Sequence, residues 1–272
     1  MPFPAYRSNM TFGCALVVGS TRGMSRALAT YFVKRGKKVL VAGFVGPNVK
    51  ETWTESAAAE IGATGAYSIA NNDDETLRSL VTRVTTEHPD LDCLVTCANV
   101  NNAFGQELSQ PSDDRSRLRG MADHMLHDNM RQPQRLTELL LPHFREHHDS
   151  TAVIITVGAN LGLMPPLGSL GTLWRSADAC TRWWIGRLRS QLARERSNVK
   201  MVEIMPSLTT ESAMLEDLEE ADLHPDVFIE NEFLDNVYEE LEEGNDIVMA
   251  GLLDDGTVSR WEFEQQNGVS YL

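Results

Sequence analysis

The stretch Val17-Val18-Gly19-Ser20-Thr21-Arg22-Gly23-Met24-Ser25 decides the fold. An apolar run from Cys14 to Val18 leads into it, and the spacing from Ser25 to Lys34 predicts a helix leading out. Strand, glycine turn and helix, in that order, open the dinucleotide site of a doubly wound α/β fold. Gly19 permits the tight turn, and Gly23 lets the backbone approach a pyrophosphate at the helix N-terminus. Gly19, Ser20, Thr21, Arg22, Gly23 and Met24 are therefore the first candidates to hold a nucleotide. The same pattern also serves a βα turn that binds nothing, so the rest of the chain has to decide.

Outward from this turn, strands alternate with helices. Strands are expected over 12–18, 38–43, 66–70 and 91–98. Between them fall helices over 24–35, closed by Gly36, over 48–61, closed by Gly62, and over 73–87, capped by Asn72 or Asp73. A long helical stretch over 116–147 is expected to break near Gly120 and at Pro133. A β-branched strand over 151–157, a loop over 158–172, a helix over 173–196 and a strand over 199–205, stopped by Pro206, complete the pattern. Such alternation predicts a Rossmann-like, doubly wound parallel sheet with helices on both faces, in a single domain spanning 1–272.

At 272 residues, with 42% hydrophobic and 23% charged content, the chain can bury an ample core and reads as globular. No apolar run approaches the ~20 residues needed to span a bilayer, and the first residues lack the apolar segment of a secretory signal. No membrane partner and a cytoplasmic location are expected. Cys14, Cys93, Cys97 and Cys180 are scattered, which favours buried free thiols over disulfides or a metal site. His143 and His147 have metal-ligand spacing, with His148 beside them. No third ligand is near, and histidines also suit a helix C-terminus, so no metal is expected. The net charge of −15 is concentrated: residues 201–259 hold eighteen acids and no Lys or Arg, which leaves the remainder slightly basic. Nucleic acid is not an expected partner of such a surface.

In this order and spacing the residues resemble the short-chain dehydrogenase/reductase family over roughly 11–210. Val18-Gly19-x3-Gly23-x-Ser25 resembles its Thr-Gly-x3-Gly-x-Gly, and Leu91-Asp92-x-Leu94-Val95 the lead-in to its Asn-Asn-Ala-Gly. That strand end here reads Thr96-Cys97-Ala98-Asn99. Asn129 stands at the family's helix Asn, Pro206-Ser207 at its Pro-Gly, and Thr209 or Thr210 at the Thr that touches the nicotinamide amide. The resemblance implies a nicotinamide dinucleotide as cofactor. Arg22 resembles the basic residue that meets the 2′-phosphate, which favours NADP(H) over NAD, and Asn71 or Asn72 replaces the adenine-contacting Asp.

The family's catalytic Ser, Tyr and Lys do not carry over. Those positions fall on Ala159, Trp174 and Asp178, and no shift in alignment restores them. The chain has no Tyr between Tyr67 and Tyr238 and no Lys between Lys50 and Lys200. An indole N–H donates a hydrogen bond but shuttles no proton near neutral pH. An iminium substrate, already cationic, accepts a hydride without needing that proton. Trp174, Asp178, Asn129 and Arg131 are the candidate catalytic residues, with Asp178 also a candidate to accept ribose hydroxyls. Arg131 reads more readily as a solvated surface residue. Trp183 and Trp184 read as packing on a helix face, or as an aromatic face for a cation. The segment after Thr210 is expected to form an acidic lid that draws in a basic amine, with Phe228, Phe233, Leu234, Val237 and Leu241 at helical spacing. A substitute final strand is expected within 254–263.

The expected function is that of an atypical reductase or cyclase acting on a cationic or imine-type small molecule, like relatives in alkaloid pathways that lack the usual triad. The alternative is a nucleotide-binding scaffold whose acidic segment is a partner surface. A homodimer or homotetramer through the helices around Asn129 and Trp184 is what the resemblance implies.

Overall fold

A computed structural model describes residues 11–19, 23–44, 51–69, 73–97, 126–146, 151–158, 170–206 and 230–248. Within these, the side chains at 51–53, 128, 170–178 and 230–231 lie outside the description. Among these residues, seven strands form one sheet: β1 (Cys14–Gly19), β2 (Lys38–Phe44), β3 (Gly65–Ile69), β4 (Cys93–Cys97), β5 (Ala152–Val157), β6 (Val199–Ile204) and β7 (Ile247–Val248). Their spatial order is β3-β2-β1-β4-β5-β6-β7, and every pairing is parallel. All six residues of β1 and of β5 are buried, as a parallel sheet covered on both faces requires.

Helices α1 (Gly23–Lys34), α2 (Glu51–Ile61) and α6 (Glu230–Glu242) lie on one face. There Leu28, Phe32, Ile61, Phe233 and Val237 meet the odd-numbered side chains of β1, among them Ala15 and Val17. Helices α3 (Asp74–Glu87), α4 (Gln132–Glu146) and α5 (Leu170–Arg194) cover the other face. Leu80, Leu140, Phe144 and Ile185 meet Leu16, Leu94 and Ile154 there. Burying each such side chain contributes about 1.5–3 kcal/mol. The result is the Rossmann-like single domain expected from the alternating pattern.

Local chemistry sets the ends of the elements. Asp73, not Asn72, caps α3, its carboxylate accepting the N–H of Thr76 at 2.8 Å. Asp92 ties the sheet together below the site, accepting the N–H groups of Gly13 and Cys14. Tyr31 of α1 and Arg35 just past its end both donate to Asp235, so α6 is fastened to the α1 region by polar as well as apolar contacts.

Two expectations change. Pro133 does not break its helix. A π-turn over His127–Arg131 precedes α4, and Pro133 sits in the first turn after it, where a missing N–H is tolerated. Cys180 is exposed rather than buried, although all four thiols are free. A short strand with no sequence signal, Ile247–Val248, pairs with Glu203 and Ile204. Residues 254–263, and the helical stretch expected over 116–125, lie outside the described residues. His143 is half-buried and bonds the Leu91 carbonyl through Nε2 at 3.0 Å; His147 and His148 are outside the described residues. Among the described residues, no helix is long and apolar enough to cross a membrane.

Candidate active site at the carboxyl edge of the sheet

The strand order reverses between β1 and β4, and in such sheets ligands bind beyond the carboxyl ends of the strands at that point. Gly19 ends β1 with φ +153°, a conformation that L side chains rarely adopt. A Cβ there would come within 3.4 Å of the Ser25 Cβ and 3.5 Å of the Cys97 Cβ. Strand β1, the first turn of α1 and the end of β4 thus converge on one atom-sized gap. Gly23, with φ +58°, is the first residue of α1, and a Cβ on it would meet nothing within 4 Å. A bare backbone at a helix N-terminus, open beside Gly23 and following a glycine-only turn of the chain at Gly19, fits the pyrophosphate of a dinucleotide.

Met24 is partly buried against the core on the α1 face, and the Ser25 side chain is buried. Ser20, Thr21 and Arg22 lie outside the described residues, as do Asn71, Asn99 and Thr209. Pro206 lies two residues past the end of β6 and is half-buried. Burial pushes the Cys97 thiol up to about 12, so it stays protonated and uncharged at the strand end.

Asn129 is buried within the π-turn. The α-helical partner of its carbonyl would be the N–H of residue 133, and Pro133 has none. The Thr181 hydroxyl of α5 donates to that carbonyl instead, at 3.1 Å. Arg131 is exposed. It lines a cleft of about 300 Å³ between α3 and α4 together with Asp74, His127, Arg135 and Glu138.

Trp174 and Asp178 lie one turn apart on the helical backbone of α5, with side chains outside the description. Of the two later tryptophans, Trp184 packs against the core as expected, whereas Trp183 is 61% exposed.

A polar seam that no motif announces lies under the α5 side of the sheet. Val18, Thr96, Thr156 and Glu203 stand in register across β1, β4, β5 and β6. Thr96 and Thr156 bring their buried hydroxyls to 3.4 Å. Glu203 forms a buried ion pair with Arg182 of α5, at 3.4 Å. Burial raises the Glu203 carboxyl above its ordinary value, against the pull of Arg182 and Arg189. The available signal was a polar residue at an inward position of otherwise apolar strands.

The profile of the short chain dehydrogenase family matches residues 13–223. The chain belongs to that family. No curated protein matches the chain. Among solved structures, a 3-ketoacyl-(acyl-carrier-protein) reductase from Brucella melitensis, complexed with NADH, superposes with a TM-score of 0.66 at 18% identity, covering 88% of this chain and 96% of that one. A bulky-bulky ketone specific alcohol dehydrogenase from Comamonas testosteroni gives 0.66 at 18% identity, over 94% and 91% of the two chains. A short-chain dehydrogenase/reductase variant from Serratia marcescens gives 0.66 at 16% identity, over 89% and 97%. At these identities the likeness establishes the fold. Short-chain dehydrogenases bind nicotinamide cofactors.

Proposed function

We propose that the protein is an NADP(H)-dependent short-chain dehydrogenase/reductase that works without the Ser-Tyr-Lys apparatus. Its substrate on this reading is a cationic or imine/iminium-type small molecule, reduced or cyclised in secondary, alkaloid-type metabolism. The observation that carries the reading is the absence of Tyr from 68 to 237 and of Lys from 51 to 199. That span contains β5 and α5, the elements that bear the catalytic positions by resemblance.

Three of the described Tyr and Lys residues are engaged elsewhere. Tyr31 donates to Asp235, and burial pushes its phenol up to about 12. Tyr67 donates to Glu87. Lys38 opens β2 at the opposite end of the sheet and pairs with Asp90 at 2.8 Å.

A reduced nicotinamide supplies a hydride when bound. Gly19 and Gly23 would admit its pyrophosphate, and Ser20, Thr21 and Met24 complete the turn around it. Arg22 would meet the 2′-phosphate, Asn71 the adenine, Asp178 the ribose, and Asn99, Pro206 and Thr209 the remainder. A ketone acceptor also needs a proton from the protein, worth about 10²–10⁴-fold in rate. An iminium carbon needs none, because its nitrogen already carries the positive charge and becomes neutral as the hydride arrives. Trp174 would face that cation, Asn129 and Arg131 would flank it, and the acids after Thr210 would raise its local concentration. A cytoplasmic homodimer or homotetramer, joined through α4 and α5, belongs to the same reading.

A second reading is a nucleotide-binding scaffold, favoured by the exposed acids Glu232, Asp235, Glu239, Glu242 and Glu243 of the α6 region. Titration with NADPH and NADH, followed by assay on a cyclic iminium, tests the proposal. Binding without turnover supports the scaffold, and binding of neither nucleotide removes both readings.

A further inference from the structure

The ion pair between Arg182 and Glu203 has side chains only 7% and 3% exposed. It shares its face of the sheet with Thr96 and Thr156 and with apolar strand residues, among them Val18, Leu94, Ile154 and Met201. Stability alone does not explain it. Desolvating two charges offsets most of their attraction, and a well-packed apolar pair is often as stable or more so. What a buried pair adds is a geometry with few alternatives.

That geometry is imposed at one place on α5. Thr181 donates to Asn129 of the π-turn, and the next residue, Arg182, is held by Glu203 of β6. Adjacent helical residues point about 100° apart, so these two contacts fix both the position and the rotation of the helix. Farther along, Arg189 donates to the carbonyls of Met201 and Asp246 and holds the C-terminal half on β6 and β7. The turn bearing Asp178 lies immediately before the Thr181–Arg182 clamp, and the turn bearing Trp174 one further on.

We infer that Arg182 is a positioning residue: anchored by Glu203, it sets how α5 presents the segment 170–181 to the site. The inference rests on the reading that this segment belongs to the site. Arg182 acts through the helix and needs no contact with substrate or cofactor.

The test uses the full chain with Arg182→Met and Glu203→Leu combined, which removes both charges and leaves neither partner buried alone. Arg182→Lys is the conservative comparison, and Glu203→Gln replaces the double variant should that fail to fold. Amide hydrogen exchange along α5 in the nucleotide-free protein is read first, then affinity for NADPH. Exchange over 170–181 is expected to rise about tenfold or more while 185–194 is unchanged. NADPH affinity is expected to fall about tenfold, and Arg182→Lys to restore most of both. Unchanged exchange over 170–181 in a folded variant, or an equal rise along the whole helix, would overturn the inference. A parent chain that binds no NADPH would remove the proposed function, and the exchange result would still decide this inference by itself.

Discussion

The Thr181 hydroxyl occupies the Asn129 carbonyl at 3.1 Å, supplying a donor where Pro133 withholds the N–H of a regular helix. Thr181→Val keeps the shape and removes the donor, so it is expected to cost about 1–3 kcal/mol in urea denaturation. In a Pro133→Ala background the regular N–H returns, and the same substitution should cost measurably less. A double-mutant cycle with no coupling would mean that the two groups do not share that carbonyl.

Gly19→Ala places a Cβ against Ser25 and Cys97 on a backbone with φ +153°. Stability should fall, and nucleotide affinity should fall with it. Gly36→Ala is the control: its φ of +77° is also unfavourable, but the space around it is open and it lies beyond the far end of α1. That variant should lose about 1–2 kcal/mol and keep the affinity of the parent. Equal affinities in the two variants would argue that the gap beside Gly19 is not where the cofactor lies.

Phe233 is 1% exposed although it belongs to the acidic segment. Phe233→Ala should cost about 3–5 kcal/mol, whereas Trp183→Ser, on an exposed helix face, should stay within about 0.5 kcal/mol. Denaturation midpoints compared at a common m-value distinguish these outcomes. A small loss at Phe233 would mean that α6 is an appendage and not part of the core.

Asp74 is paired with Arg135 and Arg78, whose hydrogen bonds hold its carboxyl well below the usual range, at about 2. The folded value lies below the unfolded one. The pairing therefore stabilises the fold above the usual carboxylate range, and that contribution is lost as pH falls toward 2. Asp74→Asn should flatten the pH dependence of stability between about 4.5 and 2. An unchanged slope would show that solvent screens the pair completely.

Much of this architecture could be read from residue order. Runs such as Ala152–Val157 announce strands because a parallel sheet buries both faces, and the helical spacing of Phe233, Leu234, Val237 and Leu241 marks α6 within a charged stretch. Strand β7 escaped because two residues carry no period, and only pairing with β6 makes Ile247–Val248 a strand. The π-turn escaped because a proline after a helical stretch looks like a break until a donor from another helix appears. Arg182 and Glu203 escaped for the same reason: their pairing depends on how α5 crosses β6, which no local pattern encodes.

On a cyclic iminium substrate, Asp178→Ala and Trp174→Phe are each expected to lower kcat/KM by about tenfold or more, with the fold intact by thermal melt. Undiminished turnover in both would mean that the segment 170–181 is not part of the site.

Calorimetric titration of the parent chain with NADPH, set beside NADH, tests the central claim most directly. Saturable binding of NADPH at about micromolar Kd, with NADH weaker, is the predicted result. Binding of neither would contradict it.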